Sequence, residues 1–443
     1  MVHFIILGCG LAGLTVSIAM KSHNPQIDVT IIEKSKYEQR GGLLHSENDR
    51  GFIFDTGGSH VIFSGNKDVL RFMLSTLNNE VITHERKAFI LLNELFIPYP
   101  FENGLYVLPP ELRAEAFISF MEAQLTRPKN WSPKNFEEWV YGSFGKWIAE
   151  KYLIPYNEKV WKKPLSQIDV SWTFIPGRLP IPNWHDVAKA AIGIQTIGYK
   201  VQYTFYYPLR GGIQTFYDSL LARAENLGIR IVWGEEVREV RKLNEGFMVN
   251  GKYKADGLIN TIPLPQVVEA FNAPEYVVKN AERLDYNSIM IVGITLKRPA
   301  PQQHWVYVPD KNVIFHRYAW ISNYSNFNAP KGFSSIIAEI TISKEHKPKF
   351  DEIEERVLED FERIGVFKRQ DVFFTRVWFH KYGYPIYTLD HKEAHENVLS
   401  WLKEQNIAST GRWGSWHYWN MDKVIEEAFL LIDDKLMKTL SKS

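Results

Sequence analysis

Apolar residues near the start of the chain fall in short unbroken runs. His3–Leu7 and Asp28–Ile32 are mostly aliphatic and bounded by polar or glycine residues, which predicts two buried parallel strands. Between them, Leu14, Ile18 and Ala19 recur at helical spacing. Further on, residues 66–85 predict a helix with Val69, Leu70, Phe72, Met73 and Leu77 on its apolar side. Residues 87–107 predict short strands around Pro98 to Phe101, and residues 110–153 and 184–194 return to helical spacing. A turn at 207–212 leads into a helix over 213–227 that stops at Gly228. Runs at 229–233, 237–243, 247–253 and 258–263 predict successive strands. More strands are predicted at 288–297, 303–308, 313–324, 334–342 and 371–379, with helices over 350–364 and 420–440.

This order predicts a mixed α/β fold in which one nucleotide-binding unit is interrupted by a helical insert and a sheet-rich unit. Its ligands should lie in the crevice between units. The nucleotide assignment rests on Gly8-Cys9-Gly10-Leu11-Ala12-Gly13, a G-x-G-x-x-G pattern set between a strand and a helix start. Gly8 permits the tight turn, Gly10 lets backbone approach a pyrophosphate, and Gly13 lets the helix pack near the strand. The helix then aims its N-terminal N–H groups at the phosphates. Glu33 follows Gly13 at the spacing of an acid that binds a ribose hydroxyl.

Composition narrows the field. A chain of 443 residues is too long for one ordinary core and predicts two or three domains. A net charge of +1 gives no sign of nucleic acid or anionic membrane as a partner. The single cysteine, Cys9, excludes an internal disulfide and a multi-cysteine metal site. No His/Asp cluster has metal-ligand spacing, and no apolar run is long enough to span a bilayer. The apolar start lacks the basic flank of a signal peptide, so a cytoplasmic protein is expected.

Both NAD and FAD use the glycine fingerprint. Here it is joined by Gly41-Gly42 and by Phe54-Asp55-Thr56-Gly57-Gly58. Together these resemble the FAD-binding opening of the amine oxidase and protoporphyrinogen oxidase superfamily. Glu236-Val237, and Asp256 before Leu258-Ile259-Asn260-Thr261-Ile262-Pro263, resemble the stretch by which that superfamily holds the adenine side. The resemblance implies a discontinuous Rossmann-type FAD-binding domain over 1–65, 205–270 and 395–443. The mainly helical insert and substrate cap is then 66–204, and the antiparallel-sheet substrate domain is 271–394.

Seven segments carry a narrower likeness. They are Gly57 to Phe63, Phe96 to Phe101, Pro155 to Trp161, Phe315-His316-Arg317, Ser322 to Ser325, Gly383-Tyr384-Pro385 and Gly411 to Tyr418. In this order they are similar to UDP-galactopyranose mutases, nearer the eukaryotic type through the middle. The ending Tyr418 to Asp422 is nearer the bacterial form. That family is made of FAD-dependent isomerases (intramolecular transferases) that interconvert UDP-galactopyranose and UDP-galactofuranose on reduced FAD. The resemblance implies that flavin N5 attacks the anomeric carbon as UDP leaves, and that the sugar opens and recloses while bound to the flavin.

It also implies roles for particular residues. Arg317 and Arg178 would hold the diphosphate, since a guanidinium fork suits phosphate oxygens. Tyr384, Tyr418 and Tyr307 would donate hydroxyl hydrogen bonds to it, and Asn157 and Trp161 would line the sugar pocket. Tyr99, Phe101 and Tyr152 would sandwich uracil, with Glu102 standing where the family has glutamine. A carboxylate accepts from a base N–H but cannot donate to a base carbonyl, so Glu102 bears on substrate choice. His60 would sit beside the flavin, either in the chemistry or as a support for the backbone. The flavin itself would be held by Gly8, Gly10, Gly13, Glu33, Gly41, Gly42, Gly58, Ser59, Val237, Gly411, Arg412, Asn420 and Met421. NAD(P)H or another reductant would keep it reduced, and a homo-oligomer is compatible with the sequence.

Two other readings stand beside this one. A flavin oxidase or desaturase of the protoporphyrinogen or amine oxidase kind would need an apolar tunnel and a site for hydride delivery. A non-catalytic flavin-bound or nucleotide-sugar-binding protein would keep the fingerprint with a disabled second half, yet here the second half is intact.

Overall fold

Five parallel strands build the first sheet, in the spatial order Ile407–Ser409, Gly257–Asn260, His3–Leu7, Asp28–Glu33 and Arg230–Trp233. The structure, a computed structural model, describes residues 2–175, 179 and 181–432. The strands come from three distant stretches of chain. Alternation across the central strand explains its unbroken apolar run. Ile6 faces the core shared with the helices Leu11–His23, Gln214–Asn226 and Met421–Leu431. Ile5 and Leu7 face a second core shared with the small sheet Val240–Ala255 and the helices Leu264–Ala270 and His391–Glu404. All three residues are fully buried, as strands covered on both faces must be.

Seven strands form the second sheet, in the order Val372–Ile386, Asp285–Leu296, Ser334–Ser343, Arg317–Ala319, Trp305–Tyr307, Ala88–Leu92 and Leu95–Pro98. Every pairing is antiparallel except that of Trp305–Tyr307 with Ala88–Leu92. Residues 88–98, grouped above with the helical insert, are thus the last two strands at one end of this sheet, Leu95–Pro98 being its edge. The helices Pro110–Thr126 and Phe136–Ile148 lie in the stretch with helical spacing, and a further helix, Ile154–Trp161, follows it.

Three sequence expectations change, besides the run 247–253, which divides into the antiparallel strands Phe247–Val249 and Tyr253–Ala255. The helix expected over 66–85 is Lys67–Thr76, capped by the Asn66 side chain, which accepts from the Asp68 and Val69 amides. Asn78 and Asn79 then take left-handed backbone (φ 49° and 58°), which asparagine tolerates, and end the helix. Val81–Glu85 continues as a strand paired with Thr204–Pro208, a β-branched stretch that suits extended chain. Secondly, the strand expected over 313–324 is only Arg317–Ala319, followed by a single tight turn at Ile321–Asn323. Thirdly, the strand expected at 371–379 runs on to Ile386 across a bulge, where Asn287 faces Tyr384 but Ile289 already faces His380. The bulge re-aims the strand end that carries Tyr384. Of the C-terminal helix expected over 420–440, Met421–Leu431 is helical and residues 433–443 lie outside the described residues.

Asp55, at the end of strand Phe52–Asp55, locks the second glycine loop in place. Its buried carboxylate accepts from Ser46 Oγ (2.7 Å), Tyr207 Oη (2.9 Å) and the Ile213 amide (3.1 Å). Burial, only partly offset by these bonds, pushes its pKa from 3.8 up to about 6. Between those values the unfolded chain has released this proton and the folded chain has kept it, so this residue's contribution to stability falls as pH rises. Urea unfolding should therefore show wild type losing about 2 to 3 kcal/mol between pH 4 and pH 7 relative to Asp55→Asn. Parallel pH dependences of the two proteins would remove Asp55 from this role.

Candidate functional site

A cavity of about 400 Å³ lies between the carboxyl edge of the parallel sheet and the seven-stranded sheet. Its walls join two kinds of surface. One is backbone: Gly10, Leu11 and Ala12, the Gly41–Leu44 turn, Gly57, and Asn420 with Met421. The other is aromatic and polar: Tyr99, Tyr152, Tyr156, Asn157, Trp161, Tyr307, Arg317, Glu339, Tyr384 and Tyr418.

The backbone wall fits a dinucleotide. A Cβ on Gly13 would lie 2.0 Å from the Gly8 carbonyl oxygen, so only glycine lets the helix start this close to the strand. A Cβ on Gly10 would meet nothing within 4 Å, which leaves open space just where the pyrophosphate should pass. The helix Leu11–His23 has no acidic residue in its first turn and no side-chain cap, and Leu11 and Ala12 line the cavity, so its positive end faces that space. The Glu33 carboxylate accepts from the Cys9 amide (2.7 Å) and the Ser35 amide (2.8 Å), which sets it beside the glycine turn. Glu235 donates its amide to the Glu33 carbonyl, which brings the segment with Val237 to the same edge. Glu33 and Val237 do not line the cavity itself, and neither do Gly8, Gly13, Gly58 or Gly411.

Glu339 organises the polar wall. It is fully buried, and in the sheet register it stands directly opposite Arg317. Arg317 Nη2 donates to Glu339 Oε2 at 2.7 Å, Tyr384 Oη donates to the same oxygen at 3.3 Å, and the Ser59 amide donates to Oε1 at 3.1 Å. Burial pulls the pKa of Arg317 down, but Glu339 outweighs it and holds the guanidinium charged above its ordinary range. Arg317 Nε is buried without a hydrogen-bond partner. Burial also keeps Tyr99, Tyr152, Tyr156 and Tyr384 protonated, so each phenol is a donor. His316, beside Arg317, is held neutral by burial and by that cation.

Aromatic contacts order the rest. Trp161 meets Tyr418 edge-on at 5.5 Å, and Tyr418 meets Tyr384 at 5.4 Å. Arg412 donates to the Gly383 carbonyl (2.6 Å), and its guanidinium lies 4.7 Å from the Tyr418 ring centre, so here it braces the two tyrosines. Tyr99 and Tyr307 face each other at 5.0 Å. Phe101 does not reach the cavity; it is fully buried and stacks behind Tyr152 at 5.3 Å. Glu102 is buried near them but off the cavity wall, its pKa pushed up to about 7 by burial. His60 lines the cavity while its Nδ1–H donates to the Gly58 carbonyl at 2.9 Å. Arg178 lies outside the described residues.

The sequence reading missed Glu339, Tyr156, Trp172 and His316 as cavity residues. Glu339 had a signal: it is the lone charge in the run Ser334 to Ser343. Among the described residues no group of three or more His, Cys, Asp or Glu could hold a metal ion, and no helix is long and apolar enough to cross a membrane.

The pattern of the flavin-containing amine oxidoreductases matches residues 11–429. The chain belongs to that family. Its cofactor is FAD, in keeping with the dinucleotide frame around Gly10. Over 186 residues the chain is 27% identical to the UDP-galactopyranose mutase of Mycoplasma pneumoniae, a match covering 40% of this chain and 44% of that one. The chain thus spans less than half the length of this curated relative in the match. A crystal structure of a reduced UDP-galactopyranose mutase superposes with a TM-score of 0.89 at 23% identity, over 99% of this chain and 94% of that one. A CLA-producing fatty acid isomerase from P. acnes superposes with a TM-score of 0.65 at 15% identity, over 98% of each chain. These superpositions show a shared fold.

Proposed function

We propose that this flavoprotein is an isomerase that interconverts UDP-galactopyranose and UDP-galactofuranose without net oxidation. One observation carries the reading: a guanidinium, Arg317, anchored by the buried Glu339, shares a cavity wall with the tyrosines and faces the glycine frame for the flavin. A hydride-transferring oxidase has no need of an anchored cation there, whereas expelling a nucleoside diphosphate does. The partial likeness to a UDP-galactopyranose mutase supports the same reading.

Reduced flavin, when bound, supplies an electron-rich nucleophile for the anomeric carbon. Gly10, Gly41 and Gly42 would give it close backbone approach, on the turn and helix start that Gly8 and Gly13 permit, with Ser59, Arg412, Asn420 and Met421 around it. Arg317 would take the diphosphate oxygens and stabilise the negative charge that grows as the sugar–phosphate bond breaks. Tyr384 and Tyr418 would donate to the same oxygens, and Arg178 would add a second cation. Tyr307 would add a third phenol there, and Tyr99 and Tyr152 would receive the flat base. Asn157 and Trp161 would hold the sugar. The reading places the protein in the cytoplasm, with NAD(P)H or another reductant as its source of electrons.

The test is direct. Flavin-loaded protein, reduced anaerobically with dithionite, is incubated with UDP-galactofuranose, and the nucleotide sugars are separated. UDP-galactopyranose should appear with reduced enzyme and not with oxidised enzyme. No conversion by the reduced form, or oxygen-consuming turnover of an amine or porphyrinogen, would overturn the reading.

A further inference from the structure

Lys159 is buried in the helix Ile154–Trp161, whose other face puts Tyr156, Asn157 and Trp161 on the cavity wall. Its ammonium spends three N–H donors on one loop, bonding the carbonyls of Val308 (2.8 Å), Asp310 (2.9 Å) and Phe315 (2.6 Å). That loop joins strand Trp305–Tyr307 to strand Arg317–Ala319. It is gripped from the other side as well. The Ile314 amide donates to the buried Asp360 carboxylate at 2.6 Å, and Phe315 stacks on Phe361 at 4.3 Å. The Lys159 carbonyl in turn accepts from Thr341 Oγ1 at 2.5 Å, two residues along the strand from Glu339 and on the same face. One residue therefore ties together the three elements that carry Trp161, Arg317 and Glu339.

Burying an ammonium is costly, and a methionine of similar length would fill this space without that cost. What a methionine could not do is hold three carbonyls at fixed positions. We infer that Lys159 is a positioning residue, one that sets Arg317 in register with the helix bearing Asn157 and Trp161. A nucleoside diphosphate sugar is then gripped at its diphosphate and its sugar at once. The inference rests on the mutase reading for the identity of the ligand, and on geometry alone for the lysine.

Titration of flavin-loaded protein with UDP and with inorganic pyrophosphate, followed by intrinsic fluorescence, tests it. Lys159→Met should keep its flavin and weaken both ligands by about tenfold or more, the scale of one lost charge-assisted contact. Lys159→Gln, which keeps amide donors, should lose less and serves if the methionine variant folds poorly. A double variant with Arg317→Ala should bind no more weakly than Arg317→Ala alone, because the lysine acts through the arginine. Wild-type affinity in Lys159→Met, or losses that multiply in the double variant, would overturn the role. Wild type that binds pyrophosphate but not UDP would instead count against the nucleotide, and the lysine would still be decided on pyrophosphate.

Discussion

Arg317→Ala is expected to lower the interconversion of the two sugar nucleotides by about 10²–10³-fold, the loss typical of removing a preorganised charge-stabilising donor. The flavin absorbance of the purified protein should be unchanged. The size of the effect follows from where the cation sits. Its side chain is 22% exposed and its partner Glu339 is fully buried, so the charge acts in a medium that screens it poorly. Glu339 holds one terminal nitrogen at 2.7 Å, which fixes the direction of the fork before any ligand arrives. Arg317→Lys should recover only part of the rate, because a single ammonium cannot pair with Glu339 and also fork onto a diphosphate. Flavin is retained in this prediction because the Gly8–Gly13 turn leaves a strand of the other sheet. Loss of flavin in Arg317→Ala would place the residue in the cofactor site and sink its assignment to the diphosphate.

Glu339→Ala should be the most destabilising single change at the site, by about 3–5 kcal/mol in urea unfolding, as for a buried pair that loses one partner. Three groups lose their acceptor at once: Arg317 Nη2, the Ser59 amide and the Tyr384 hydroxyl. Most of the cost is the guanidinium, only 22% exposed, left without its counter-charge. Removing that charge as well should therefore help. Arg317→Ala with Glu339→Ala is expected to be more stable than Glu339→Ala alone, although inactive. Simple addition of the two single losses would show that the pair is not coupled.

The parallel sheet and its glycine turn were legible in the sequence because their requirements are local. Gly8, Gly10 and Gly13 are fixed by one turn and one helix start, and Ile5, Ile6 and Leu7 are apolar because both faces of their strand are covered. Breaks in periodicity were harder to see. Val69, Leu70, Met73 and Leu77 give a helical rhythm that Val81 does not visibly interrupt, and only the left-handed backbone at Asn78 and Asn79 ends it. The helix His391–Glu404 and strand Ile407–Ser409 were absent from the sequence reading, since short amphipathic pieces take their identity from what they pack against.

Short motifs marked Arg317, Tyr384 and Tyr418 as candidates, yet no motif says what a side chain meets. The chain alone determined a dinucleotide-binding frame and a set of cation and phenol donors suited to a diphosphate. Tertiary structure decided how they converge. Strand register sets Arg317 opposite Glu339, a bulge re-aims the strand end with Tyr384, and Phe101 is drawn off the cavity behind Tyr152. The reason is physical: a turn or a helix start is dictated by neighbours in sequence, whereas a buried ion pair depends on which strands lie side by side.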